Sequence, residues 1–130
     1  MPERKKILWA DDEIDLLEAH VLFLAQYGYD VVGVTNGEDA LHRVLTESFD
    51  AVLMDVRLNG MSGLESLKKI KEKKPGTIVI MITGFSYDDE LVAKSNELGC
   101  AGYIGKNASI SQIICCFKAF IKDAKEKNKQ

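Results

Sequence analysis

Five short runs rich in apolar and β-branched residues, at positions 6–10, 30–34, 51–54, 78–82 and 102–104, recur along the chain with helix-length stretches between them. Strands and helices that alternate in this way build βαβ units, in which parallel strands lie side by side and crossover helices cover the sheet. Leu8, the run 52–54 and the run 78–82 are apolar without alternation, the pattern of strands covered on both faces. Five such units with right-handed crossovers predict an α/β three-layer sandwich around a doubly wound five-stranded parallel sheet. Strand order 2-1-3-4-5 is one of the two common solutions.

The intervening segments carry helix signals. Residues 14–27 place Leu17, Val21 and Leu24 on one face, and Gly28 supplies the stop. Asn36 caps a second helix that runs through Ala40, Leu41, Val44 and Leu45 to about Glu47. A third begins near Ser62, with Glu65 three residues on as its capping-box partner. It presents Leu64, Leu67 and Ile70 before Pro75 and Gly76 end the pattern. A fourth covers 88–98 and ends at Gly99. The last opens at Ser109 with Gln112 as its polar partner and turns Ile113, Phe117, Phe120 and Ile121 inward. Residues 1–122 are thus expected to form one domain. The charged tail 123–130 is expected to fray, lie on the surface or begin a linker.

Composition removes several classes of function. With 130 residues, 46% of them apolar, the chain can build one core, and 28% charged residues balance to a formal net charge of −3. Basic residues cluster only at 4–6 and 68–74, which gives no footprint for direct nucleic-acid binding. Apolar runs fall far short of the ~20 residues of a membrane span, and no signal-peptide region follows the first residues, so a cytoplasmic location is expected. Cys100, Cys115 and Cys116 lack metal-ligand spacing and are expected as reduced thiols. His20 and His42 read as helix-surface residues.

In open parallel sheets the ligand site lies beyond the carboxyl ends of the strands, near the point where strand order reverses. The first strand ends in Asp11, Asp12 and Glu13, the third in Asp55, the fourth in Thr83 and Gly84, and the fifth leads into Lys106. Clustered carboxylates repel and raise one another's pKa, so a positive partner is required. A hard divalent cation meets that need, and Mg²⁺ characteristically takes one or two carboxylates plus waters and phosphate oxygens. Lys106 adds a mobile ammonium, Thr83 a hydroxyl, and Gly84 an amide unobstructed by a side chain. Each residue admits a plainer reading: first-turn helix acids for Asp11 and Asp12, a turn cap for Asp55, a strand end for Thr83, a solvated charge for Lys106. The ordered coincidence at four strand ends is what points to chemistry.

The segments 10–13 (Ala-Asp-Asp-Glu), 53–58 (Leu-Met-Asp-Val-Arg-Leu), 60–65 (Gly-Met-Ser-Gly-Leu-Glu), 82–85 (Ile-Thr-Gly-Phe) and 102–106 (Gly-Tyr-Ile-Gly-Lys) resemble the successive signatures of the receiver domain of bacterial two-component response regulators. The resemblance covers roughly residues 5–122 and implies a flavodoxin-like, chemotaxis-receiver-like fold. It implies that Asp55 is the phosphoacceptor, Asp12 a direct Mg²⁺ ligand, Asp11 an acid acting on the metal through water, and the Arg57 carbonyl a further metal ligand. Thr83 and Lys106 would contact the phosphoryl group, and Tyr103 matches the aromatic switch position that follows Thr83. Arg57 and Phe85 would tune dephosphorylation from the mouth of the site. The implied partners are a sensor histidine kinase or phosphotransfer protein, an output domain or effector, and a second copy through the fourth helix, fifth strand and fifth helix. Such a domain catalyses only its own modification and is not otherwise an enzyme.

Two positions depart from the family pattern. Asn107 follows Lys106 where a proline with a cis bond is usual, and Leu58-Asn59 stands where Met-Pro is usual. A cis bond to a non-proline residue costs about 3 kcal/mol, so the loop after Lys106 is expected to take another path. These departures motivate the alternative of a receiver that binds partners without being phosphorylated. A hydrolase with an aspartyl nucleophile commonly carries an acid two residues on, where this chain has Arg57. A flavodoxin-type mononucleotide site would need a hydroxyl- and glycine-rich loop after the first strand, where this chain has acids.

Overall fold

A computed structural model describes residues 4–58, 60–84 and 89–128; the side chains of Leu16, Thr83, Asp89, Leu91 and residues 122–128 are outside the description. Strands β1 (Lys5–Ala10), β2 (Tyr29–Val34), β3 (Ala51–Asp55), β4 (Val79–Thr83) and β5 (Gly102–Gly105) form one sheet in the order β2-β1-β3-β4-β5, and every pairing is parallel. Helices α1 (Glu18–Gln26), α2 (Gly37–Thr46), α3 (Gly63–Lys73), α4 (Asp89–Glu97) and α5 (Ile110–Asn128) make the crossovers. The strand boundaries differ from the sequence expectation by a residue or so, and the topology agrees with it.

Alternation along the strands splits the core in two. Ile7, Trp9, Leu53, Ile80, Ile82 and Ile104 face α1 and α5, where Leu24, Ile113, Phe117 and Ile121 cover them. Leu8, Ala10, Val52, Met54, Val79 and Met81 face the other way, under Ala40 and Val44 of α2 and Leu67 and Ile70 of α3. All five residues of β3 are buried, the consequence of a central position with a layer on each side.

The helix starts follow their caps. Asn36 accepts from the Asp39 amide at 2.8 Å and Ser62 from the Glu65 amide at 3.2 Å. At α5 the box is reciprocal, with the Gln112 amide donating to Ser109 Oγ and the Ser109 amide to Gln112 Oε1.

Two expectations change. The stretch expected as one helix over 14–27 opens instead as a 3₁₀ turn, Ile14–Leu17, before α1 begins. Its first bond closes early, the Ile14 amide donating to the Asp11 carbonyl at 3.1 Å, because the chain leaving β1 is already bent round the Asp11 side chain. At the other end α5 continues past Lys122 to Asn128, so the first residues of the charged tail extend the helix. Tight packing accompanies the turn: a Cβ on Gly33 of β2 would lie 2.6 Å from Ile14 Cγ1.

Candidate functional site at the carboxyl ends of the strands

Since β1 and β3 are paired neighbours, Asp11 and Asp12, which follow β1, come beside Asp55, the last residue of β3. Ligand oxygens of these three carboxylates all lie within 4.8 Å of one another. Asp11 and Asp55 are 1% and 3% exposed, and Asp12 faces solvent. Both buried acids are held by an amide two residues on, the turn that aspartate favours. Asp11 Oδ1 accepts from the Glu13 amide at 2.9 Å, and Asp55 Oδ1 accepts from the Arg57 amide at 3.0 Å.

Lys106 brings the positive charge from the end of β5. Its Nζ lies 3.1 Å from Asp55 Oδ2 and 3.9 Å from Glu13 Oε2. Burial alone would lower its pKa, but the hydrogen bond and charge of Asp55, with Asp11 and Glu13 behind it, outweigh that and hold the ammonium above its ordinary value. Burial pushes the Asp11 carboxyl up, reinforced by the charges of Asp55 and Asp12 against the pull of the Glu13 amide and Lys106. Asp55 Oδ2 is buried, and the positive charge it faces is the Lys106 ammonium at 3.1 Å. A single ammonium facing three carboxylates leaves an acidic excess with free lone pairs. That donor set fits a hard cation.

The expected detour after Lys106 is small. No cis peptide is present among the described residues, and a turn closes from the Ala108 amide to the Gly105 carbonyl at 3.0 Å. Lys106 reaches Asp55 through it without a proline.

β4 ends at Thr83, whose backbone pairs in register with Gly105. The Thr83 side chain and Phe85 lie outside the described residues. Gly84 is exposed with open space where a Cβ would be. Arg57 is exposed at the rim. Tyr103, on edge strand β5, turns inward rather than to water, and its hydroxyl donates to the Val92 carbonyl of α4. Burial first, and then a hydrogen bond with Cys100, pushes its phenol up to about 12. The cysteines carry no disulfide. His42 is exposed as expected, but His20 is half-buried with its ring edge-on to Trp9, centroids 6.2 Å apart, because α1 turns it toward the sheet.

Two further residues shape this site: Glu38, which the sequence leaves without a role, and Gly63, which stands within the 60–65 signature with no role of its own. Glu38, in the first turn of α2, accepts the Met61 amide at 2.9 Å and so pins the loop between β3 and α3. Gly63, which opens α3, lies so close to β3 that a Cβ there would meet the Asp55 carbonyl oxygen at 2.0 Å. Glu38 carries no signal in one sequence, since an acid in a helix's first turn is common, and the need for glycine at position 63 becomes visible only once α3 is packed on β3.

The family model described as "response regulator receiver domain" matches residues 7–117. The chain belongs to the response-regulator receiver family. Among relatives of the receiver, the cyclic di-GMP phosphodiesterase of Thermotoga maritima is 36% identical over 104 residues, 80% of this chain and 27% of that protein. The alkaline phosphatase synthesis transcriptional regulatory protein PhoP of Bacillus subtilis is 31% identical over 118 residues, 91% of this chain and 49% of that protein. The receiver therefore spans between about a quarter and about half of these longer relatives. A solved CheY-like receiver domain from Methanospirillum hungatei superposes with a TM-score of 0.88 at 27% identity, covering 96% of this chain and 99% of that one. The receiver's family is one of phosphoacceptor signalling domains, and Asp11, Asp12 and Asp55 form a group of carboxylates that could hold a metal ion. Among the described residues, no helix is long and apolar enough to cross a membrane.

Proposed function

We propose that Asp55 is the phosphoacceptor of this receiver and that Asp12, Asp55 and the Arg57 carbonyl hold Mg²⁺, with Asp11 acting on it through water. The observation that carries this reading is Asp55 Oδ2, buried at the end of the central strand, 3.1 Å from Lys106 Nζ and beside two further carboxylates. When bound, Mg²⁺ supplies the positive charge that lets phosphoryl oxygens approach this acidic pocket.

An Asp55 carboxylate oxygen attacks phosphorus in line. The bond from phosphorus to the donor, nitrogen in a kinase phosphohistidine or oxygen in a small acyl phosphate, breaks with its electron pair leaving on the donor. Transfer of this kind needs positioning and charge neutralisation more than covalent help. Lys106 leaves its ion pair with Asp55 for the incoming phosphoryl oxygens, and Thr83 offers them a hydroxyl. Recruitment of Thr83 opens space for Tyr103, which exchanges its bond to the Val92 carbonyl for a more inward position and alters the surface of α4, β5 and α5. That surface serves an output domain, an effector or a second copy, and the phosphoryl donor is a sensor histidine kinase or phosphotransfer protein in the cytoplasm. The receiver's chemistry is confined to its own phosphorylation and dephosphorylation.

The alternative, a receiver that is never phosphorylated, draws on the missing prolines. A lysine that meets Asp55 without them speaks for the active reading. The test is incubation with Mg²⁺ and acetyl phosphate followed by intact mass measurement. Wild type is expected to gain one phosphoryl group and Asp55→Asn none, because an amide keeps the shape but is no anionic nucleophile. Equal labelling of the two proteins removes Asp55 from the reaction.

A further inference from the structure

The first two residues of α2 grip the loop that leads from the acceptor strand to α3. The Glu38 carboxylate accepts the Met61 amide at 2.9 Å, and a Cβ on Gly37 would meet the Met61 carbonyl oxygen at 2.4 Å. Met61 is thus held on its N–H side by a side chain and on its carbonyl side by the backbone of α2. The same carboxylate lies against Gly60, where a Cβ would meet both of its oxygens at 2.9 Å. Gly60 also holds a left-handed backbone, φ +72°, that a side chain would oppose. Among the described residues, the stretch 57–61 is hydrogen-bonded at its two ends, the Arg57 amide to Asp55 Oδ1 and the Met61 amide to Glu38. The Arg57 carbonyl lies between these anchors along the chain, and no proline stiffens positions 58–59.

The direction of the Arg57 carbonyl therefore depends on where Met61 is held. A loop that wanders must be ordered when its ligand binds, which weakens binding, whereas a loop held in advance has met that cost in folding. We propose that Glu38 is a positioning residue for the metal: by holding Met61 it keeps the Arg57 carbonyl turned to the ion and so sets the Mg²⁺ affinity of the pocket. This rests on the reading of the Arg57 carbonyl as a metal ligand given above. Glu38 acts as a hydrogen-bond acceptor for the loop and stands outside the group formed by Asp11, Asp12 and Asp55.

Three variants of the full chain separate this role from others. Glu38→Ala removes the acceptor, and Glu38→Gln keeps an acceptor oxygen without the charge. Asp39→Ala removes the neighbouring first-turn acid, whose carboxylate meets Asn36. Glu38 is exposed, so its substitutions leave the core intact, and the ¹⁵N spectrum of each variant verifies the fold. In that spectrum the Glu13 and Arg57 amides, which donate to Asp11 and Asp55, report Mg²⁺ with no phosphoryl donor present. Glu38→Ala is expected to weaken Mg²⁺ binding roughly fivefold, the worth of one net hydrogen bond, while Glu38→Gln and Asp39→Ala stay near wild type. Labelling by acetyl phosphate is expected to be slower in Glu38→Ala at low Mg²⁺ and to return to the wild-type rate at saturating Mg²⁺. Equal Mg²⁺ affinity in wild type and Glu38→Ala overturns the proposal and leaves the metal site standing. Equal weakening in Glu38→Ala and Glu38→Gln makes charge the cause and overturns the positioning role. Equal weakening in Asp39→Ala makes it a general effect of the first turn of α2 and overturns that role as well. Wild-type amides indifferent to Mg²⁺ remove the metal site itself, and the proposal falls with it.

Discussion

Replacing Gly63 by alanine tests whether the acceptor strand and α3 are as tightly apposed as the geometry requires. A Cβ at this position would stand 2.0 Å from the Asp55 carbonyl oxygen and 2.9 Å from Val56 Cα, where ordinary contact begins at about 3.4 Å. The gap must therefore widen by about 1.4 Å, and backbone lies on both sides, so no side chain can swing away. Overpacking of this kind costs about 3 kcal/mol at the upper end of the usual range. Alanine's better helix propensity at the first position of α3 returns up to about 1 kcal/mol. The net of about 2 kcal/mol corresponds to a fall in melting temperature of roughly 6–10 °C for a domain of this size. Thermal denaturation followed by circular dichroism measures it, with Gly76→Ala as control, since nothing lies within 4 Å of a Cβ there and its melting temperature should hold or rise slightly. Because the displaced atoms belong to Asp55, labelling by acetyl phosphate should also slow in Gly63→Ala even below its melting transition. A Gly63→Ala protein that melts with wild type would refute the close approach and the reasoning built on it.

Other outcomes follow from the same geometry. A carboxyl whose folded pKa is raised, as for Asp11, stabilises the fold below its ordinary value of 3.8 and loses that contribution as pH rises through the folded value. The metal-free protein thus carries a charge penalty at neutral pH. Millimolar Mg²⁺ should raise its melting temperature by linkage, more at neutral pH than near the carboxylate range and less in Asp12→Asn, and a melting temperature indifferent to Mg²⁺ counts against the metal site. Tyr103, held neutral up to about 12, contributes stability that is fully present below its ordinary value of 10.0 and is lost as pH climbs between the two. Tyr103→Phe should remove the last phenolate step in an ultraviolet titration and flatten that alkaline loss, whereas an unchanged titration would detach Tyr103 from it. Neither Arg57 nor Phe85 can orient a hydrolytic water as an amide can. Loss of phosphoryl label should therefore be slow in wild type and several-fold faster in Arg57→Asn and Phe85→Gln, and identical decay in all three proteins would leave both side chains as rim cover.

Much of this architecture is written in local patterns. The unalternating apolar runs announce buried parallel strands, and Asn36, Ser62 and Ser109 cap their helices through side-chain chemistry that operates over three residues. Asp11, Asp12, Asp55 and Lys106 could be brought together on paper because parallel strands all end at one edge. What a sequence does not display is what depends on distance between elements. The 3₁₀ turn at Ile14 follows from the way Asp11 bends its own backbone and Ile14 presses on Gly33. Tyr103 matches the aromatic switch position by resemblance, but its hydroxyl's partner, the Val92 carbonyl, is visible only once α4 is in place. Glu38 looks like any first-turn acid until Met61 comes to it. Trp9 reads as one more core residue, and only the packed arrangement leaves its N–H without an acceptor among the described residues.

The strand order also governs when in folding this site can exist. Asp55 belongs to the central strand, its acidic companions to the strand on one side, and Lys106 to the far edge beyond β4. Asp11 and Asp12 are chain neighbours, but neither meets Asp55 or Lys106 through local contacts, so the pairings of β1 with β3, β3 with β4 and β4 with β5 must close before the ammonium faces the acids, and such non-local closures come late and slowly. A chain caught with β5 undocked holds its carboxylates without their counter-charge. Reactivity toward a phosphoryl donor is then confined to molecules that have finished folding.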